Sequence, residues 1–214
     1  MKKVVGVGAG GHAKVLIDIL KKEDTYEIVG ITDVKQELFG SEIFGIPIIG
    51  SDEELPRLFE SGVGYAFIGV GSVRDPSLRT YLFRKTLQIG FRMINIVHKS
   101  AIISDEVVLG CGISIMAGAI INIGVKIGDN VIINTGAIIE HDCVIEDNVH
   151  ISPGVKIGGG VRIGKDTHIG IGATIIQNKT IGEDVVVGAG SVVIRNVPDR
   201  VTVVGSPAKI LKKG

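Results

Sequence analysis

From residue 101 onward, branched aliphatic residues recur at every sixth place: Ile103, Leu109, Ile115, Ile121, Ile127, Ile133, Ile139, Ile145, Ile151, Ile157, Ile163, Ile169, Ile175, Ile181, Val187 and Val193. Two places earlier in most hexads stands a small or β-branched residue, as at Ala101, Val107, Ala119, Val125, Val131, Ala137, Val149 and Ala173. Apolar residues separated by one share a face of a strand, while the Gly, Asn and Asp in the remaining places permit tight turns. Gly118, Gly136, Gly154, Gly172 and Gly190 are spaced by eighteen, which makes three hexads to a coil and a triangular cross-section. The array predicts a parallel β-helix of about five coils, stacked at roughly 4.8 Å around a ladder of isoleucines. Several positions expected to point outward are also apolar, among them Ile120, Ile132, Ile138 and Val186.

The first hundred residues lack this period. Lys3 to Val7 reads as a buried strand, Gly8 to Gly11 as a tight turn, and Ala13 to Leu20 as a helix with Val15, Leu16, Ile19 and Leu20 on its apolar side. A strand at Glu27 to Thr32 ends in Asp33, and Ile43 to Ile49 is extended. Ser51 is placed to cap a helix running through Leu58, with Glu54 completing a capping box. Tyr65 to Val70 is a further strand and Arg79 to Gln88 a helix. Alternation of strands and helices predicts a small, parallel, Rossmann-like α/β sheet. The expected division is therefore 1–98 for the α/β domain, 99–197 for the β-helix and 198–214 for a C-terminal tail.

Composition changes this picture little but narrows the function. Lys plus Arg and Asp plus Glu number 23 each, so no global field favours nucleic acid or an anionic membrane, and any anionic ligand is held locally. No stretch approaches the roughly 20 apolar residues needed to span a bilayer. Cys111 and Cys143 fall on regular repeat positions without metal-ligand spacing, and read as reduced packing residues of a cytoplasmic protein.

Two regions carry candidate chemistry. Gly8-Ala9-Gly10-Gly11-His12-Ala13 follows a strand and opens a helix, with an acid at the end of the next strand, which suits a phosphate held by bare backbone at a helix N-terminus. A nucleotide or nucleotide-sugar, a dinucleotide and a purely structural turn all fit that motif, the dinucleotide least well because the domain is small. In the repeats, His150 and His168 lie one place before core residues and face outward on adjacent coils, without carboxylate or cysteine partners at metal spacing, so no metal site is expected. His141 lies two places after Ile139, and one coil on stands Gly159. A histidine under a glycine pairs a base poised near neutrality with room for a small acyl group and a backbone N–H for its carbonyl. Glu140 and Asp142 are both placed to orient the ring, and a plain surface histidine is the competing reading.

Ile138-Ile139-Glu140-His141-Asp142-Cys143-Val144-Ile145, Gly170-Ile171-Gly172-Ala173, Gly205-Ser206-Pro207-Ala208-Lys209 and the opening Gly8-Ala9-Gly10-Gly11-His12-Ala13-Lys14 together resemble the PglD/NeuD group of bacterial sugar acetyltransferases. The resemblance implies a left-handed β-helix, acetyl-CoA as acetyl donor, His141 as general base tuned by Asp142, and contacts to acetyl-CoA from His150, Gly159, Ile171 and Ala189. It further implies that Gly10, Gly11, His12 and Asp33 hold the nucleotide part of the acceptor, and that the chain forms a homotrimer with sites between neighbours. Two departures touch the acceptor: Val34 stands where a second acid often follows the first, and Gly71-Ser72 with extra residues before Arg79 replaces a Gly-Asn pair. The expected function is N-acetylation of a UDP-type amino sugar by direct transfer. O-acetylation of a sialic-acid-like sugar is the alternative, and a noncatalytic nucleotide-binding scaffold the reading from a different class.

Overall fold

The computed structural model describes residues 1–213 and divides into two compact units, one of residues 1–71 and 77–96 and the other of residues 72–76 and 97 onward. The expected first boundary at 98 thus falls two residues earlier. A short segment inside the first hundred residues packs with the repeats.

The first unit is a six-stranded sheet. Its elements are β1 (Lys2–Val7), α1 (Gly11–Leu20), β2 (Tyr26–Thr32), β3 (Glu42–Ile43), β4 (Ile46–Gly50), α2 (Leu55–Glu60), β5 (Tyr65–Ile68), α3 (Ser77–Ile89) and β6 (Arg92–Met93), in the order β3-β4-β2-β1-β5-β6. All pairings are parallel except that of β3 with β4, so the sheet is mixed: the stretch expected as one extended segment is a hairpin. Phe44 and Gly45 turn it, at φ 49° and 76°. Helix α1 begins two residues before the expected start, and its buried face is Ala13, Leu16, Ile17 and Leu20, with Ile19 at its margin. Those positions follow the i, i+3, i+4, i+7 spacing of one helical face; Val15, expected inside, points out. Ser51 accepts from Glu53 N at 3.3 Å, but it opens a short 3-10 turn, and the Glu54 carboxylate binds Arg57 instead of closing a capping box.

The second unit is a three-sided parallel β-helix. Two-residue strands stack every eighteen residues, as in Ile120 opposite Ile138 and His150 opposite His168. The inward residues form one continuous core in which Ile139, Ile151, Ile157, Ile163 and Ile169 are all but inaccessible, together with Ala137, Cys143, Val149 and Val161 from the turns. Each fully buried aliphatic side chain is worth about 1.5–3 kcal/mol in transfer from water. The turns need left-handed backbone, supplied by Gly118, Gly136, Gly154, Gly172 and Gly190 on one edge and by Asn and Asp elsewhere. On another edge those residues bond up the stack: Asn130 Nδ2 donates to Asn148 Oδ1, and Asn148 Nδ2 to Asp166 Oδ1, both at 2.9 Å. Residues 198–213 do not hang free: Val201–Val204 pairs in parallel with Val186–Val187, and Lys209–Lys213 folds back antiparallel on Val201–Val204.

Candidate active site

His141 sits on a turn between two faces of the β-helix, held by the strand Ile138–Ile139 on one side and Val144–Ile145 on the other. Its Nδ1 lies 2.8 Å from Asp142 Oδ2. A carboxylate only accepts, so Nδ1 carries a proton, and in the neutral ring the lone pair is then on Nε2. Spacing alone left Glu140 and Asp142 as equal partners, the family resemblance pointed to Asp142, and the backbone separates them. Asp142 takes a left-handed conformation, φ 60°, which turns its side chain back toward the ring. Gly124, one coil below, leaves the space, since a Cβ there would lie 2.6 Å from Asp142 Oδ1. Glu140 is engaged by Asn122 Nδ2 at 2.9 Å.

One coil above His141 lies Gly159. A Cβ on it would come within 2.6 Å of His141 Nε2, so the imidazole packs against bare backbone on its free-nitrogen side. The Gly159 N–H has no acceptor among the described residues. Cys143, two residues from His141, is fully buried in the core, and burial raises its thiol pKa above the ordinary range. Such a thiol is a poor nucleophile.

His150 and His168 stack with ring centroids 5.1 Å apart, but neither is open to water as an outward position suggested: they are 5% and 7% exposed. The segment 72–76 reaches them. His150 Nδ1 donates to the Ser72 carbonyl at 3.1 Å, and Arg74 N donates to His168 Nδ1 at 3.2 Å. His168 is therefore the neutral tautomer protonated on Nε2, which donates to Ser152 Oγ at 2.8 Å. Burial, and then the nearby Arg74 cation, lowers its pKa below the usual histidine value. Ile132, expected on an apolar outer surface, is likewise fully buried, while Ile120, Ile138 and Val186 are half-buried.

His150, Ile171 and Ala189 line one cavity of about 590 Å³ with Arg74, Asn134 and His168. His141, Asp142 and Gly159 are not in it: they stand on a different edge of the β-helix. The other expected residues gather in the first unit. Gly10, Gly11, His12 and Asp33 line a cleft of about 300 Å³ at the C-terminal ends of the parallel strands, where α1 begins. Asp33 Oδ2 accepts from Ala9 N at 2.7 Å and Oδ1 from Lys35 N at 2.9 Å, so this carboxylate braces the glycine turn. Arg79, buried in α3, donates to the Ile68 and Val70 carbonyls and fixes the opposite wall. Among the described residues, no three His, Cys, Asp or Glu side chains converge as metal ligands.

Residues 3–86 match the PglD N-terminal domain and residues 124–159 the bacterial transferase hexapeptide family of six repeats. A perosamine N-acetyltransferase from Caulobacter crescentus, solved with CoA and GDP-perosamine, is 40% identical over 99% of this chain and 98% of its own, with a TM-score of 0.91. The chain belongs to the PglD-like family of sugar N-acetyltransferases. The acetyltransferase domain of PglB from Neisseria gonorrhoeae, solved with acetyl coenzyme A, is a second such member, 34% identical over 98% of this chain and 99% of its own at a TM-score of 0.88. In two of the Caulobacter structures a single histidine is replaced, by asparagine in one and by alanine in the other. A UDP-N-acetylbacillosamine N-acetyltransferase from Bacillus subtilis shares 40% identity over 120 residues, and this chain spans about half the length of that curated relative, 52%. Family membership does not by itself say which side chains act.

Proposed function

We propose that this protein transfers an acetyl group from acetyl-CoA directly to the amino group of a nucleotide-linked amino sugar. The observation that carries the reading is the His141–Asp142 pair seated under Gly159. His141 Nε2 takes the proton from the sugar nitrogen as that nitrogen bonds to the thioester carbonyl carbon. The Gly159 N–H faces the carbonyl oxygen as it gains charge, and Asp142 stabilises the imidazolium. As the carbon–sulfur bond breaks, the proton on His141 passes to the departing sulfur, leaving the amide and free CoA. Cys143 has no part in it. Gly10, Gly11, His12 and Asp33 serve the nucleotide, while His150, Gly159, Ile171 and Ala189 serve acetyl-CoA. The named relatives act on amino sugars, which supports an amine acceptor over a hydroxyl, and the oriented base supports an enzyme over a scaffold.

A homotrimer completes this reading. The His141 ring is 60% exposed in the single chain, and Ile171 and Ala189 stand on another edge. Parallel association sets one protomer's His141 edge against its partner's Ile171 edge, closing the base from water. The outward face bearing Ile102, 65% exposed, and the half-buried Ile120 and Ile138 is apolar enough to favour such packing. The proposed use of acetyl-CoA and a nucleotide sugar supports a cytoplasmic reaction. No helix of the described residues is long and apolar enough to cross a membrane. The test is thiol release from acetyl-CoA with UDP- and GDP-linked amino sugars. Release that needs the amine and yields the N-acetyl sugar supports the reading, and its absence with every amino sugar overturns it.

A further inference from the structure

The cleft of the first unit contains a carboxylate that the reading above leaves unused. Asp52 follows β4 and is only 8% exposed, yet it lines the cleft. Its Oδ1 accepts from Thr32 Oγ1 at 2.6 Å, while Oδ2 has no hydrogen bond and the side chain no ion pair among the described residues. A carboxylate oxygen that faces a cleft with no partner of its own is a ready acceptor for a ligand's N–H groups.

Strand order says which part of the ligand arrives there. Phosphates belong over the glycine turn, at the end of β1 and the start of α1. The next strand outward is β2, ending at Asp33, and the next is β4, ending at Asp52. On the other side of β1, β5 leads to the bare wall of Gly69 and Gly71. A nucleoside diphosphate sugar lying across these ends places its sugar by β5 and its base by β4.

We propose that Asp52 reads the base and makes the protein selective for guanine, its carboxylate accepting the guanine N1–H and one N–H of the 2-amino group. This rests on the cleft being the nucleotide-sugar subsite. Guanine presents two adjacent donors on one edge, the match for a carboxylate. Uracil presents a single N3–H between two carbonyl oxygens, which a carboxylate repels. Adenine and cytosine set an acceptor nitrogen beside their amino group. Lys35, which follows Asp33 and also lines the cleft, is the cation that would meet the guanine O6.

Calorimetric titration of the full chain with GDP, IDP and UDP tests this. IDP differs from GDP by the 2-amino group alone, so the comparison needs no variant. GDP is expected to bind about tenfold or more tightly than IDP, and more tightly than UDP. Asp52→Asn, which turns an amide N–H toward the donor edge, is expected to remove most of the GDP advantage while leaving UDP affinity within about twofold. UDP binding as tightly as GDP, or IDP matching GDP, overturns guanine selection but leaves a nucleotide subsite standing. No binding of any of the three overturns the subsite reading itself. An Asp52→Asn chain that melts early removes only that variant, since the IDP comparison decides the matter in the unaltered protein.

Discussion

Gly159 sits one coil above His141 with so little clearance that a methyl group in its place would come within 2.6 Å of Nε2 and 2.7 Å of Cε1. Within its own chain the imidazole is mostly exposed, so nothing of that chain blocks its displacement. Gly159→Ala is therefore expected to fold normally and to swing the base out of line. A misplacement of about 1 Å costs on the order of 10²-fold in rate. A kcat that falls by that factor with an unchanged melting temperature is the expected result; a wild-type kcat would show that the clearance has no catalytic meaning.

Removing the base is the companion measurement. General-base catalysis contributes about 10² to 10⁴ in rate, so His141→Ala should lose that much kcat while acetyl-CoA affinity holds. Asp142→Asn is a clean intermediate, because Asn tolerates the left-handed φ that Asp142 adopts. Its rate should fall between wild type and His141→Ala. Cys143→Ala should cost about 1 kcal/mol or more of stability through the cavity it leaves, with kcat nearly intact. Activity that survives in His141→Ala and vanishes in a folded Cys143→Ala would replace direct transfer with an acyl-enzyme.

The glycine turn of the first unit is open in a way that makes its test selective. A Cβ added at Gly10 or Gly11 meets nothing within 4 Å, and neither residue has positive φ. A leucine at Gly11 strains no backbone but projects where the phosphates belong. Steady-state kinetics of Gly11→Leu should show the acceptor KM raised about tenfold or more with the acetyl-CoA KM unchanged. Equal weakening of both would assign the turn to structure alone.

His168 gives the fold a pH dependence with a definite sign. Its folded pKa lies below the ordinary value near 6.5, so as pH falls through that region the unfolded chain takes up a proton before the folded one does. Stability is then full above about pH 6.5 and declines as pH drops toward the folded pKa. Denaturant midpoints at about pH 7.5 and pH 5 should differ more in wild type than in His168→Gln, whose amide oxygen still accepts from Arg74 N. A pH dependence identical in the two chains would count against the assignment.

Much of this was legible in the sequence because a β-helix has an exact register. Steps of six identify the core and steps of eighteen the stack, so Gly159 is found above His141 by counting. What counting misses is chain outside the period. Nothing in Ser72 or Arg74 announces that their backbone meets His150 and His168, so two buried histidines read as exposed ones. The choice of Asp142 over Glu140 depends on a left-handed φ and on the absent side chain of Gly124, neither visible in a pattern of apolar positions. The hairpin at Phe44 and Gly45 escaped because Ile43 to Ile49 has the composition of one strand and its turn lacks the usual Asn or Asp signal.

The eighteen-residue stack also fixes how this chain can change length. A whole coil added below Gly124 would extend the β-helix and carry His141, Asp142 and Gly159 upward together, leaving their geometry as it is. The same eighteen residues added between Asp142 and Gly158 would set a new side chain over the imidazole and move Gly159 a further 4.8 Å or so away. A change that a turn absorbs is different: the last coil is two residues short, with Val187 opposite Val203 and Ile181 opposite Val197, and its faces still stack. Length changes that keep the site are thus whole coils outside it or residues absorbed at turns, and a coil entering between Gly124 and Asp142 or between His141 and Gly159 would take the reaction apart.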